Sequence, residues 1–297
     1  METERTQTLE PERPASASSL AGDLAPEREQ FYRHTGFVRL SHWINALCLL
    51  VMLMSGLQIF NAHPALYWGP ISEFDHPFVS LYGEEDGTGN ITKGVTQIGK
   101  WHFDTTGVLG ASRVGGQLTA RGFPDWATLP GQQWLAMGRL WHFFFAWIFA
   151  INGFVFVGYA LRSRHAQNDL FPTRMDFRHL GHEIVEHLRL RFPKGEAAKR
   201  YNVLQKLAYF SVIFGLGPLI LLTGLTMSPT VDSAFPFLLW VFGGRQSART
   251  IHFICAFSFL AFFVVHIVMV VLSGTWNNLR AIITGWYAIE PEKPNGR

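Results

Sequence analysis

Two histidines on the last apolar segment of the chain, His252 and His266, are spaced so that both leave one face of a helix. Their separation of 14 residues is about 40° short of four full turns at 3.6 residues per turn. The rise between them is about 21 Å, most of the thickness of a hydrocarbon core. Lipid cannot solvate an ionisable side chain there, so both are candidates for function. Two imidazoles on one stripe, one near each leaflet, could bind the iron atoms of two stacked haems.

Two further histidines complete a pair at each of these depths. His42 lies at the start of the first apolar segment and His142 at the start of the second. If the segments alternate in direction, His142 lies level with His252 (the outer pair) and His42 lies level with His266 (the inner pair). Each pair would supply both axial ligands of one haem iron. Such an iron has no open position, which favours electron transfer over oxygen chemistry.

Arginines precede three of these histidines by three residues, which places each guanidinium one turn nearer the membrane surface on the same face. Arginine binds carboxylates bidentately, so these side chains are candidate partners for haem propionates. They are Arg39, Arg139 and Arg249, with Arg245 on the same stripe as Arg249. Arginine and histidine also anchor helices at membrane surfaces without any ligand. The fixed offset, together with two compatible depth pairs, favours haem ligation over that alternative.

Gly56 follows His42 by 14 residues and therefore falls on the same helix face, at the level of the outer pair. A missing side chain there would let a haem pack against the backbone.

Four charge-free runs of membrane-spanning length determine the predicted fold class. The chain is 48% hydrophobic and only 16% charged, which is typical of a membrane protein. We predict an all-α integral membrane protein, a four-helix up-down bundle with a long outer loop between spans 1 and 2. Gly215, Gly217 and Pro218 are expected to bend the third span. The predicted spans are residues 38–60, 134–161, 203–227 and 250–273.

The distribution of charge predicts the orientation of the chain. The connector 162–200 contains nine Lys/Arg and five Asp/Glu, whereas the long loop 61–133 contains four and seven. By the positive-inside rule, the connector and both termini are cytoplasmic. Residues 1–30 are predicted to be a disordered tail, residues 31–287 the membrane domain and residues 288–297 a short tail. The net charge of +3 thus has a topological explanation and does not indicate a nucleic-acid partner.

The cysteines restrict the type of haem. Cys48 and Cys255 both lie within predicted spans, and the C-x-x-C-H motif for covalent haem attachment is absent from the sequence. Any haem would therefore be of the b type, held by side-chain ligation alone.

Asn202 and Gln205 lie one turn apart at the predicted cytoplasmic start of span three, near the level of the inner pair. Their amides could hydrogen-bond a quinone carbonyl. Asn202 could equally be a helix N-cap that needs no ligand, and the sequence leaves both interpretations open.

The stretch from Arg33–His34 to His42–Trp43, the His252/His266 pair and the single histidine of span two resemble the prokaryotic cytochrome b561-type family. Its members include the cytochrome b subunits of formate dehydrogenases, nickel–iron hydrogenases and thiosulfate reductase-like complexes. The resemblance covers about residues 31–287, except most of the first outer loop. It implies two haem b groups, a bacterial inner-membrane location, and electron exchange between the quinone pool and a peripheral redox subunit. From the resemblance, a molybdenum oxidoreductase is the first expectation for that subunit and a hydrogenase the second.

The leading hypothesis is a lipid-embedded dihaem cytochrome b subunit that transfers electrons between quinone and a periplasmic oxidoreductase subunit. The sequence contains no acid–base or nucleophile constellation, which favours an electron-transfer subunit over a stand-alone catalyst. One alternative is a haem-free anchor or a proton-coupled transporter in which the histidines relay protons. Another is a self-sufficient transmembrane haem reductase of a small acceptor.

Overall fold

The computed structural model describes residues 29–163, 171–189 and 202–289. Most of the two predicted tails, residues 1–30 and 288–297, lies outside these ranges. The helices in chain order are α1 (Gly36–Phe60), α2 (Leu135–Arg162), α3 (Arg174–Leu188), α4 (Val203–Phe210), α5 (Gly217–Thr226), α6 (Pro229–Ala234), α7 (Phe237–Val241), α8 (Arg245–Leu272) and α9 (Thr275–Thr284).

Four helical segments of the described chain are long and apolar enough to cross a membrane, as the hydropathy pattern predicts. They are α1, α2, the composite segment Val203–Thr226 and α8. The largest difference from the predicted bounds is at α8, which begins at Arg245 rather than at residue 250. Arg245 and Arg249 are therefore on the helix that carries His252 and His266.

The third span contains the irregularity expected at Gly217 and Pro218. Between α4 and α5 lies a π-helical turn, Ser211–Leu216, in which the Gly217 N–H donates to the Val212 carbonyl. Proline has no N–H to donate and its ring clashes with the carbonyl four residues earlier, so the α-helical ladder cannot continue unchanged here. The π turn accommodates the proline and keeps the segment helical.

The prediction of an all-α chain is wrong for the segment between α1 and α2. This segment, which we call the β cap (residues 61–134), forms strands β2 (Ala65–Leu66), β3 (Val79–Glu85), β4 (Ile91–Ile98), β5 (Trp101–Asp104), β6 (Ala111–Val114) and β7 (Gln117–Ala120). The first four make an antiparallel sheet in chain order, and the last two make a hairpin. Strand β4 is rich in β-branched residues, which favour a pleated strand. A long chain segment must also pair its buried backbone polar groups, and a sheet does this without helical periodicity.

The hairpin between β3 and β4 is closed by Asp86. Its carboxylate accepts hydrogen bonds from the Thr88 hydroxyl and from the backbone N–H groups of Thr88 and Asn90. These bonds, the Thr88 hydroxyl first, lower the pKa of Asp86 to about 2.

The β cap is packed onto one end of the helix bundle through a cluster of buried side chains, Phe60, Leu66, Leu81 and Phe123. Phe253 of α8 packs against this cluster. Hydrogen bonds reinforce the contact, because the Thr250 hydroxyl donates to the Tyr67 carbonyl at 2.7 Å. The cap is therefore part of the same folded unit as the ends of α1 and α8.

The two ends of the described chain are also joined. Strand β1 (Gln30–Tyr32) pairs antiparallel with β8 (Trp286–Ala288), which follows α9. This pairing brings the segment that precedes α1 next to the segment that follows α9, at the end of the bundle that carries the inner pair.

Asn61 fastens the β cap to the end of α1, and its replacement by alanine tests this contact. Its side chain donates to the Phe123 carbonyl at 3.1 Å and accepts from the Phe123 N–H at 2.7 Å. In Asn61→Ala the buried Phe123 N–H loses its partner, at a cost of about 1–3 kcal/mol. The Phe123 carbonyl keeps the hydrogen bond that it accepts from Nε of Arg121 at 2.7 Å. We expect the free energy of local unfolding of the cap to fall by about 1–3 kcal/mol. Trypsin should then cleave solubilised protein faster at Lys93, Lys100 and Arg113.

Asn90→Ala is the matched control, because in the described part of the chain the Asn90 side chain bonds only within the exposed Asp86–Asn90 turn. Equal cleavage rates in the two variants would contradict the role given to Asn61.

Candidate haem-binding site

The structure brings together the outer pair of histidines from two different helices. His142 lies near the start of α2 and His252 near the start of α8, and their ring centroids are 6.2 Å apart. Each histidine also contacts a further helix, since His142 touches α1 and His252 touches α5. The depth argument from the sequence predicts this pairing.

The inner pair is formed in the same way by α1 and α8. His42, near the start of α1, and His266, near the end of α8, have ring centroids 6.4 Å apart. Trp43 lies edge-on to His42, and Phe262 stacks on His266 with an interplanar angle of 17°. The Nδ1 atom of His42 is buried and has no hydrogen-bond partner among residues 29–163, 171–189 and 202–289.

Hydrogen bonds determine which nitrogen of His142 carries the proton. Its Nδ1 lies 3.1 Å from the Met52 carbonyl and 3.2 Å from the Ser55 hydroxyl. A carbonyl oxygen only accepts, so Nδ1 must be the protonated nitrogen. The Ser55 hydroxyl donates its own proton to the Val51 carbonyl at 2.7 Å and is left with a lone pair toward Nδ1. Nε2 of His142 is therefore unprotonated and can bind a metal.

The same arrangement surrounds His252. Its Nδ1 lies 3.0 Å from the Ile220 carbonyl and 3.2 Å from the Thr223 hydroxyl. The Thr223 hydroxyl donates to the Leu219 carbonyl at 2.7 Å. By the same reasoning, Nδ1 carries the proton and Nε2 is free to bind a metal.

These distances fit a haem iron held between two imidazoles. Two metal–nitrogen bonds of about 2 Å, with each ring centroid about 1 Å beyond its nitrogen, span about 6 Å. The observed centroid separations are 6.2 Å and 6.4 Å. A metal-bound histidine also characteristically donates its other N–H to a carbonyl or carboxylate, as His142 and His252 do.

Two glycines create the space in which the outer imidazoles lie. A Cβ atom added at Gly56 would lie 3.3 Å from Cε1 of His142, and one added at Gly224 would lie 3.3 Å from Cε1 of His252. Gly56 was selected from the sequence as a surface for haem packing. The structure places it directly against the ring of a predicted ligand.

The four arginines proposed to bind haem propionates lie at the ends of the spans. In this structure each of them has a different partner. Arg249 donates to the His63 carbonyl and lies over the Phe60 ring at 5.5 Å. Arg245 forms an ion pair with Asp232 of α6. Arg39 donates to the Ile283 carbonyl of α9, and Arg139 lies over the Phe143 ring at 5.7 Å.

His63, in the β cap, lies close to the Arg249 guanidinium. Burial, and then the positive charge of Arg249, lower the pKa of His63 below its ordinary value. The ring of His63 is therefore neutral near pH 7, whereas the neighbouring Arg249 guanidinium carries a positive charge.

Asn202 and Gln205, the candidate quinone ligands, form a capping box at the start of α4. The Asn202 side chain accepts from the Gln205 N–H at 2.8 Å, and the Gln205 side chain accepts from the Asn202 N–H at 3.3 Å. Both amide oxygens thus stabilise the helix start, as the alternative interpretation of Asn202 requires.

The sequence analysis missed Ser55, Thr223 and Gly224. A signal for them does exist in the sequence, because a hydroxyl residue followed by glycine occurs near the end of the first span and again near the end of the third. Each such dipeptide lies against one outer histidine. Sequence alone does not indicate which histidine faces which dipeptide.

Comparison with known proteins identifies a matching family and a relative. The family model described as prokaryotic cytochrome b561 matches residues 33–285. A relative from Azospira oryzae, described as a putative protein-methionine-sulfoxide reductase subunit YedZ1, is 25% identical over 245 residues. That match covers 82% of this chain and 93% of the relative.

Gly56→Ala and Gly224→Ala test whether the space beside each outer imidazole is required. The added methyl group would push the ring away from its carbonyl acceptor by a few tenths of an ångström. We expect affinity for one haem to fall by about 10-fold or more, as when other supporting contacts of a metal ligand are removed. The measurement is haem per chain in purified protein, by the pyridine haemochrome method. Gly153→Ala is the control, since a Cβ added there on α2 meets nothing within 4 Å; an equal loss in that variant would contradict the interpretation.

Proposed function

Because the chain belongs to the prokaryotic cytochrome b561 family, whose members bind haem b, we propose that it is a dihaem electron-transfer subunit. It would transfer electrons between the quinone pool and a peripheral oxidoreductase subunit. The four apolar helices and the family together indicate a protein of the bacterial inner membrane. The observation that carries the proposal is the presence of two facing imidazole pairs, with ring separations of 6.2 Å and 6.4 Å.

The chain's own residues would hold the two groups at defined levels. His142 and His252 would ligate one haem, and His42 and His266 the other; each bound haem would supply a one-electron redox couple. α8 contributes one ligand to each level, so it keeps the two levels about 21 Å apart along its axis. Bis-histidine ligation would leave neither iron an open position for substrate. The substrate chemistry would therefore belong to a partner.

We assign the two ends of the bundle to different electron carriers. The basic connector and the positive-inside rule predict that the inner pair lies near the cytoplasmic face, where Asn202 and Gln205 cap the start of α4. Quinone would exchange electrons there. The outer pair would lie near the periplasmic face beneath the β cap, so a peripheral subunit at that end would contact the cap.

The nature of the peripheral subunit is proposed from the family and from the relative's name. The relative is described as a subunit of a protein-methionine-sulfoxide reductase. Its similarity supports a partner oxidoreductase of this general kind, with a molybdenum enzyme as the first expectation and a hydrogenase as the second. In this assignment the present chain conducts electrons and the partner reacts with substrate.

A haem-free proton relay is less consistent with the hydrogen bonds of the outer pair. A relaying imidazole must take up a proton at one nitrogen and release one at the other. At His142 and His252, however, Nδ1 lies between a carbonyl and a hydroxyl whose proton is already donated to the helix. Both neighbours accept only, so they hold the Nδ1 proton in place.

Histidine replacements test the number of haems and their ligands. We expect two haems per chain in the wild-type protein and one in His142→Ala or His266→Ala. His142→Ala combined with His252→Ala should still retain one haem, because both ligands belong to the same pair. His142→Ala combined with His266→Ala should retain none. Dithionite-reduced minus oxidised spectra, with haem counted per chain, measure this directly.

His102→Ala is the control, because this exposed histidine of the β cap bonds only to Tyr82 among the described residues. Colourless preparations after haem-replete expression would reject the proposal in favour of a haem-free protein. Loss of haem in His102→Ala would show that the counting is not specific to the ligand pairs.

The quinone assignment requires variants that keep the capping box of α4. Asn202→Ser retains an N-cap oxygen, and Gln205→Glu retains the acceptor for the Asn202 N–H, but both lose amide N–H donors. We expect each to slow haem reduction by quinol about 10-fold, as expected for a lost hydrogen bond of about 1.4 kcal/mol. Haem reduction by dithionite should be unchanged. Stopped-flow spectroscopy in detergent provides the rates.

Unchanged quinol rates in both variants would remove Asn202 and Gln205 from the quinone site. The same preparation distinguishes the self-sufficient reductase, because rapid haem reoxidation by methionine sulfoxide without any second protein would contradict the subunit role.

A further inference from the structure

We propose that Ser55 and Thr223 are matched positioning residues that orient the outer histidines and lower the reduction potential of the haem at that level relative to the inner one. This inference rests on the proposed function, since it concerns the haem that His142 and His252 would ligate. It assigns a role to two hydroxyls that act through the ligands and touch no iron themselves.

The two hydroxyls belong to a three-residue arrangement that occurs twice with identical spacing. On α1 it consists of the Met52 carbonyl, the Ser55 hydroxyl three residues later and Gly56 four residues later. In an α-helix the N–H of residue i+4 donates to the carbonyl of residue i. Gly56 is therefore the residue next to the carbonyl that His142 uses, and its missing Cβ opens the approach.

The second copy lies on α5 and uses Ile220, Thr223 and Gly224 for His252. The two copies agree closely in geometry, with Nδ1-to-hydroxyl distances of 3.2 Å and 3.2 Å. Their Nδ1-to-carbonyl distances are 3.1 Å and 3.0 Å. Ser55 and Thr223 each have a relative exposure of 0%. Two unrelated segments thus present the same set of acceptors to the two ligands of one level.

These acceptors act on the metal through the imidazole. A hydrogen bond from Nδ1–H to an acceptor increases the electron density of the ring and makes Nε2 a stronger donor. A stronger donor stabilises ferric over ferrous iron and therefore lowers the reduction potential. Each outer ring has two such acceptors, and both are shielded from water.

His42 of the inner pair differs at the equivalent atom. Nδ1 of His42 is buried without a hydrogen-bond partner in the described part of the chain. That ring receives no comparable increase in electron density. The difference in hydrogen bonding therefore favours a lower potential at the outer level and a higher one at the inner level.

The test is a potentiometric titration of haem absorbance in the purified protein, resolved into two one-electron components. The outer component is identified as the one absent from His142→Ala. In Ser55→Ala combined with Thr223→Val we expect its redox equilibrium constant to change about 10-fold toward the ferrous state, a positive shift of about 59 mV for one electron. The inner component should not move. Each single variant should shift the outer component in the same direction by a smaller amount.

Thr226→Val is the matched control, because the Thr226 hydroxyl donates to the Leu222 carbonyl at 2.8 Å on the same helix. Thr226 is also 0% exposed, but no hydrogen bond joins it to a histidine among the described residues. Thr223→Ser, which keeps the hydroxyl, should retain the wild-type potential. The low-spin ferric signal of the outer haem in electron paramagnetic resonance should change in Ser55→Ala and remain unchanged in Thr226→Val.

Two haems per chain with unmoved potentials in Ser55→Ala, Thr223→Val and the double variant would overturn this inference and leave the proposed function intact. Equal shifts in Thr226→Val would also overturn it, because they would show a general effect of lost helix hydroxyls. Wild-type protein without haem would overturn the proposed function and this inference together.

Discussion

At the outer pair, each buried imidazole has a hydrogen-bond acceptor for Nδ1 on a neighbouring helix, and these bonds organise the helices at this level. His142 and His252 satisfy Nδ1 on neighbouring helices, α1 and α5, which leaves Nε2 of each ring for a metal. The contact also fixes which helices are neighbours at this level. α1 must lie against α2, α5 must lie against α8, and the two helix pairs must then meet where the histidines face each other.

Close helix approach at the outer pair depends on small residues. Gly56 and Gly224 let an imidazole reach a helix carbonyl, because no Cβ stands between them. In membranes the hydrophobic effect does not drive helices together. Close packing of small residues and hydrogen bonds between helices must therefore hold them together. The hydroxyls of Ser55 and Thr223 serve both purposes, since each bonds its own helix and a histidine of the next. Under the proposed function, haem binding and helix packing at this level would use the same residues.

The β cap adds a second kind of structure to the bundle. Its sheet and hairpin pair the backbone groups of a segment that could not remain irregular over this length. Its buried cluster, with Phe60 and Phe123, rests on the ends of α1 and α8 next to the outer histidines. The cap thus closes the end of the bundle at which we place the partner subunit. The β-branched residues of strand β4 favour a sheet, whereas the four apolar spans by themselves predict an all-α fold.

The sequence by itself determined the four spans and the depths of the four histidines, because span length, hydropathy and position along a helix are local properties. It also indicated Gly56 and the arginines that open the helices, from offsets along one face. Only the tertiary structure decided which atoms meet. The contacts of Ser55 with His142 and of Thr223 with His252 join residues 87 and 29 positions apart, the Arg245–Asp232 ion pair depends on the fold of α6, and the β cap depends on strand pairing. Such contacts follow from how segments pack against one another, which no local periodicity encodes.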